Sequence, residues 1–113
     1  MITKLDSSKK DMIYGSSFHG ITIEATADQI TEALGFTCTR FSGDPSEIKV
    51  THEWLVEREG EAFSIYDWKE YGSIIDSKDL IYWHIGGKSK DKEEELKEEL
   101  EIKLKSLFLN GKN

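Results

Sequence analysis

Apolar and polar side chains alternate over residues 21–25, directly after a stretch at 14–20 rich in Gly and Ser, and this predicts a first strand. Helical spacing follows at once. Ala27, Ile30, Ala33 and Leu34 recur at intervals of three and four, Thr26 and Gln29 have capping-box spacing, and Gly35 stands where a left-handed residue ends a helix. A helix over Ala27–Leu34 with its apolar stripe against a sheet is therefore expected. Residues 36–47 contain Gly43, Asp44, Pro45 and Ser46 and read as a loop with a turn. Alternation then resumes. Ile48, Val50, His52, Trp54 and Val56 fall on one face of a strand, and Lys49, Thr51, Glu53, Leu55 and Glu57 on the other. Glu59 and Gly60 predict a tight hairpin into a partner strand over 61–69, where Phe63, Ile65 and Asp67 share one face and Ser64, Tyr66 and Trp68 the other. Residues 71–79 read as a connection, and 80–85 as a further strand ended by Gly86 and Gly87.

The last pattern is helical over residues 90–109, with Leu96, Leu100, Leu104, Leu107 and Phe108 on one side and Asn110 and Gly111 as the stop. Glu93/Lys97, Glu99/Lys103 and Glu101/Lys105 are spaced as i,i+4 ion pairs. Its first turn, 90–95, has no apolar residue and is expected to project from the body. Together these elements predict an α+β domain: an antiparallel sheet of about four strands, one short helix between the first two, and a long C-terminal helix. That long helix either packs across the sheet or serves dimerisation. A chain of 113 residues holds one such domain, with residues 1–12 as a flexible N-terminal tail. A homodimer is expected, because an exposed helix and strand edges need cover.

With 37% hydrophobic and 33% charged residues, and no apolar run near the roughly 20 residues of a membrane helix, the chain is expected to be soluble, with no membrane partner. The N-terminus has no apolar run behind a basic region, so a cytoplasmic location is expected. Cys38 is the sole cysteine, which excludes an internal disulfide and a thiolate cage. His19, His52 and His84 lack the spacing of a metal motif, and no metal or cofactor is expected. The net charge of −7 argues against nonspecific nucleic-acid binding through a broad basic face. It leaves open solubility alone, an acidic surface for a basic partner, or a small anion held in a local basic pocket.

The candidate chemistry lies between Thr51 and Ile85. Trp54, Tyr66, Trp68, Tyr71, Tyr82 and Trp83 are interleaved there with His52, Asp67, Lys69 and His84. Six large aromatics in a small domain serve equally as core or as a site. Asp67 and Lys69 are costly to bury unpaired, so they are expected to pair with each other or to face a cleft. After the predicted strand, Gly86-Gly87-Lys88-Ser89 leads into a helix, an arrangement that offers backbone N–H groups and a lysine to an anion. The same glycines also read as plain turn chemistry. A full phosphate loop would need glycine where Tyr82 stands, which rules out ATP hydrolysis of that type. Asp67, Glu53, His52 and His84 include acids and bases, and Ser64 and Cys38 nucleophiles, but no spacing links them. No enzyme activity and no catalytic residue are expected.

Glu53-Trp54, then Ile65-Tyr66-Asp67-Trp68-Lys69, then Trp83-His84-Ile85-Gly86-Gly87 resembles a recurring pattern in small bacteriophage proteins with YDWK and WHIGG motifs. The likeness covers about residues 22–88 and implies a phage accessory protein of the counter-defence kind, working in the host cytoplasm. Two functions are then expected. The first is sequestration of a nucleotide-like immune signal at a site drawn from Trp54, Tyr66, Asp67, Trp68, Lys69, Trp83, His84, Gly86, Gly87 and Lys88, with Arg40 as a further cation. The alternative is an acidic inhibitor whose C-terminal helix engages a basic site on a host defence protein.

Overall fold

The computed structural model describes residues 1–43, 47, 49–68 and 75–108. In chain order the elements are β1 (Ile2–Lys4), a 3₁₀ helix (Ser7–Ile13), β2 (Ser17–Ala25), α1 (Ala27–Leu34), β3 (Thr39–Arg40), β4 (His52–Arg58), β5 (Glu61–Tyr66), β6 (Ile81–Gly87) and α2 (Lys90–Phe108). The fold is α+β. Its centre is the β4–β5 hairpin, turned by Glu59 at φ 52° and Gly60 at φ 80°, two left-handed residues whose twist suits the strands they join. β5 pairs with β6 and β6 with β2, all antiparallel. β1 lies against Val56–Arg58 and β3 against His52 and Glu53, so the two share the other edge of β4 end to end. The described residues thus form a six-stranded antiparallel sheet in the order β1-β4-β5-β6-β2 with β3 beside β4, rather than about four strands.

Alternation along β4, β5 and β6 sends Trp54, Val56, Phe63, Ile65, Trp83 and Ile85 to one face, where α1 and α2 cover them. α1 adds Ile30 and Ala33 to this layer, and α2 adds Leu96 and Leu100. Complete burial of each such leucine or isoleucine contributes about 1.5–3 kcal/mol. The capping box of α1 forms as its spacing predicts: Gln29 N donates to Thr26 Oγ1 over 3.0 Å and Thr26 N to Gln29 Oε1 over 2.9 Å. Gly35 closes the helix at φ 87°.

Several expectations are corrected. Residues 1–12 are not a flexible tail: β1 joins the sheet, Ile2 and Leu5 are buried, and the 3₁₀ helix lies on the outer face against β5. Gly86 and Gly87 do not end a strand but belong to β6. The first turn of α2 does not project, because Glu93 is fully buried there. Nor does Glu93 look to Lys97; it meets His19, while Glu99 receives Arg58 Nε over 2.7 Å. Arg58 and the N-terminal amine hold the Glu99 carboxyl below its usual range, outweighing the burial that would raise it. The predicted turn residues Asp44, Pro45 and Ser46, the strand start at Ile48, and Leu109, Asn110 and Gly111 lie outside the described residues. Among the described residues no helix is long and apolar enough to cross a membrane.

Candidate functional site: an aromatic outer face

The outer face of the sheet carries a run of rings. On β5 the residues opposite Phe63 and Ile65 are Ala62, Ser64 and Tyr66; the first two are buried and Tyr66 is half-buried. The register places Tyr66 against His84 and Ser64 against Gly86. His84 stacks on Phe18 with ring centroids 4.1 Å apart and planes 17° from parallel, and it meets Tyr66 edge-on at 5.4 Å. Tyr66 in turn meets Trp68 edge-on at 6.4 Å. Phe18 is 41% exposed and Trp68 40%, so the run is open at both ends. Gly86 makes room for it: a Cβ there would sit 3.3 Å from Tyr66 Cε1 and 3.6 Å from the Ser17 carbonyl oxygen.

Beside Tyr66 and Trp68 lies a cleft of about 260 Å³, lined also by Ile13, Ser16, Ser17, Val50, Glu53, Ser64 and Gly86. Ser64 Oγ donates to Glu53 Oε2 over 2.8 Å, which fixes that carboxylate in the cleft wall. Ser16 Oγ is buried without a hydrogen-bond partner among the described residues. Burial pushes the Tyr66 hydroxyl above its ordinary range, with Glu93 and Glu53 adding to the effect, so it stays a neutral donor. A second cleft, lined by Arg40, Phe41, Ser42 and Lys49, shares Val50 and Glu53 with the first. The two adjoin along these residues. Stacking surface at one end and cationic side chains at the other are what a small planar anion requires.

The structure separates the expected site residues. Tyr66, Trp68, His84 and Gly86 come together as described. Trp54 and Trp83 do not join them; they are core, crossing at 5.1 Å and 80°, with their indole N–H groups donating to the Phe36 and Ala25 carbonyls. Asp67 does not face a cleft, and Lys69, its expected partner, lies outside the described residues. Asp67 is fully buried and accepts from Thr51 N at 2.8 Å, His52 N at 2.9 Å and Thr51 Oγ1, with His52 Nδ1 at 3.3 Å, so it ties the entry of β4 to the end of β5. Gly87 is no anion cradle: a Cβ there would meet Phe63 Cδ1 at 2.9 Å and Glu93 Oε2 at 3.0 Å, so the glycine admits a buried carboxylate. Lys88 is exposed and lines a separate small cleft with Met12, Gly60, Glu61, Ala62 and Phe63. Lys69 and Tyr71 lie outside the described residues.

Glu93 itself was not legible as a site residue. Its Oε2 lies 2.7 Å from His19 Nδ1, and His19 Nε2 lies 3.2 Å from Ser17 Oγ. Burial pushes the Glu93 carboxyl above its usual range, against the pull of His19. The Ser-x-His spacing on one strand was visible in the sequence, but its link to a glutamate 74 positions away was not. Among the described residues, no group of three or more His, Cys, Asp or Glu side chains could hold a metal ion. No protein-family model, curated protein or solved structure matches the chain.

Proposed function

We propose that the protein binds and sequesters a nucleotide-like small molecule in the outer-face clefts. The observation that carries this reading is the run Phe18–His84–Tyr66–Trp68, which ends in a cleft adjoining the side chains of Arg40 and Lys49. A base stacks on Trp68 and Tyr66, an interaction worth about 1–3 kcal/mol per base. The Glu53 carboxylate accepts from an amino or imino edge of that base, and Arg40 and Lys49 neutralise phosphate. A net charge of −7 does not oppose this, since one or two phosphates respond to the local field of the cations. The likeness to small phage proteins gives the role its setting: removal of a bacterial immune signal in the host cytoplasm. The acidic-inhibitor alternative draws less support, because Glu93 is buried and Glu95 and Glu99 are engaged by Arg58.

The test is to purify the protein from cells making bacterial immune nucleotides, release bound molecules by heat, and identify them by mass spectrometry. Wild type should release a nucleotide-like compound. Trp68→Ala should weaken its rebinding by roughly tenfold to a hundredfold, in line with the loss of one stacked base. Arg40→Ala should weaken phosphorylated forms more than the free nucleoside. An unliganded wild type from such cells, with no nucleotide quenching Trp68 fluorescence, rejects the reading.

A further inference from the structure

The group least explained by packing is the Glu93 carboxyl. It is fully buried, its Oε1 has no partner among the described residues, and His19 holds only its Oε2. A buried carboxyl left half-satisfied costs stability that an apolar side chain would not. The sheet is nevertheless cut away to admit it, because only a glycine at 87 leaves space for the Glu93 side chain. Ser17 pairs with Gly87 in the β2–β6 ladder, so its side chain lies on the same, helix-facing side of the sheet. His19, two residues on, reaches both ways, with Nδ1 on Glu93 and Nε2 on Ser17. Ser17 is exposed, and the His19 side chain is one-third exposed, so solvent and small molecules reach the pair.

We propose that Ser17 is an activated nucleophile, with His19 as its general base and Glu93 as the residue that positions the imidazole, and that this group cleaves small carboxylic esters. A nucleophile bonded to a base, with the base oriented by a third group, is the arrangement that activates a serine hydroxyl. The ionised Glu93 Oε2 accepts the Nδ1 proton's hydrogen bond, which leaves the Nε2 lone pair towards Ser17 Oγ. Oγ attacks the ester carbonyl carbon as its proton passes to Nε2. The C–O bond to the alcohol then breaks, and the alcohol leaves with the proton from Nε2. Water, deprotonated by Nε2, attacks the acyl-Ser17 ester and releases the carboxylic acid, restoring the hydroxyl. The balance is ester plus water to acid plus alcohol. Uncharged or cationic esters fit best, given the carboxylate behind the base and the net charge of −7. Ser17 borders the outer-face cleft, while its hydroxyl is engaged by His19 and, through it, by Glu93; the proposal rests on those hydrogen bonds and not on ligand sequestration.

The test treats the full-length protein with a fluorophosphonate probe and with 4-nitrophenyl acetate, and maps the modified residue by peptide mass spectrometry. Ser17 should be labelled far faster than the exposed Ser8 and Ser77, and 4-nitrophenol should appear in a burst. Ser17→Ala should abolish both signals, and His19→Gln should slow labelling by about a hundredfold or more, with unchanged melting showing that each variant is folded. For Glu93→Gln the loss should fall on the acylation rate constant and not on its dependence on probe concentration, which a merely structural role would not produce. Labelling of Ser17 no faster than Ser8, or ester turnover that survives in Ser17→Ala, would overturn the proposal. Neither result depends on whether a nucleotide binds the outer face.

Discussion

Asp67 and Glu93 are equally buried, both at 0% exposure, yet the chain treats them in opposite ways. Asp67, at the end of β5, accepts from two backbone amides and a threonine hydroxyl, with His52 beside it. Glu93, at the start of α2, has one oxygen on His19 and the other without a partner. A carboxylate surrounded by local donors is an architectural clamp, since those donors would be orphaned without it. One held by a single imidazole that is itself open to solvent contributes little to the fold and much to the character of that imidazole. Burial alone therefore does not distinguish a structural acid from a chemical one; the identity and exposure of its partners do.

Asp67→Ala offers the largest test of this contrast. It strands the Thr51 and His52 amides, each costing about 1–3 kcal/mol, so urea unfolding should show a loss of about 3 kcal/mol or more. A loss below 1 kcal/mol would mean that the clamp is not structural. Next is Gly87→Ala, whose Cβ would press on Phe63 Cδ1 at 2.9 Å and on Glu93 Cγ at 3.1 Å. It should cost about 1–3 kcal/mol by overpacking, whereas Gly86→Ala, facing a tyrosine ring edge at 3.3 Å, should cost less.

The smallest effect is expected for Glu93→Gln, which should change stability at neutral pH by less than about 1 kcal/mol, or raise it. Its sign should depend on pH. Burial raises the folded-state pKa of Glu93 above the ordinary 4.5, so its contribution to stability is fully present below that value and is lost as pH rises through the folded-state value. Melting measured from acid to neutral pH should therefore show the glutamine variant gaining on wild type as pH rises. A gap that stays constant, or that narrows, would show that His19 compensates the buried charge fully.

Much of the fold was legible because local chemistry and tertiary structure agree. Thr26, Gln29 and Gly35 delimit α1, Glu59 and Gly60 turn the hairpin, and alternation along β5 separates Phe63 and Ile65 from Tyr66 and Trp68. The N-terminal strand was not legible, since three residues show no periodicity and their partner is Val56–Arg58, far along the chain. In the candidate site, Tyr66, Trp68, His84 and Gly86 could be read from motif and face, but Trp54 and Trp83 could not be told from them. A tryptophan in an alternating strand looks the same whether its face meets a helix or solvent. Gly87 misled for a related reason: a glycine beside a helix start suggests an anion, and what lies against it is a carboxylate.

The division of one sheet edge between β1 and β3 bears on how the protein behaves when concentrated. A neighbouring molecule seeking to extend the sheet there meets two short strands, three and two residues long, with an interruption between them. At the opposite edge, β2 changes register between Phe18 and Thr22, with Gly20 at φ 89°. Neither border offers a long, flat template of unpaired amides and carbonyls, so the sheet is guarded against runaway strand addition by its own irregular margins.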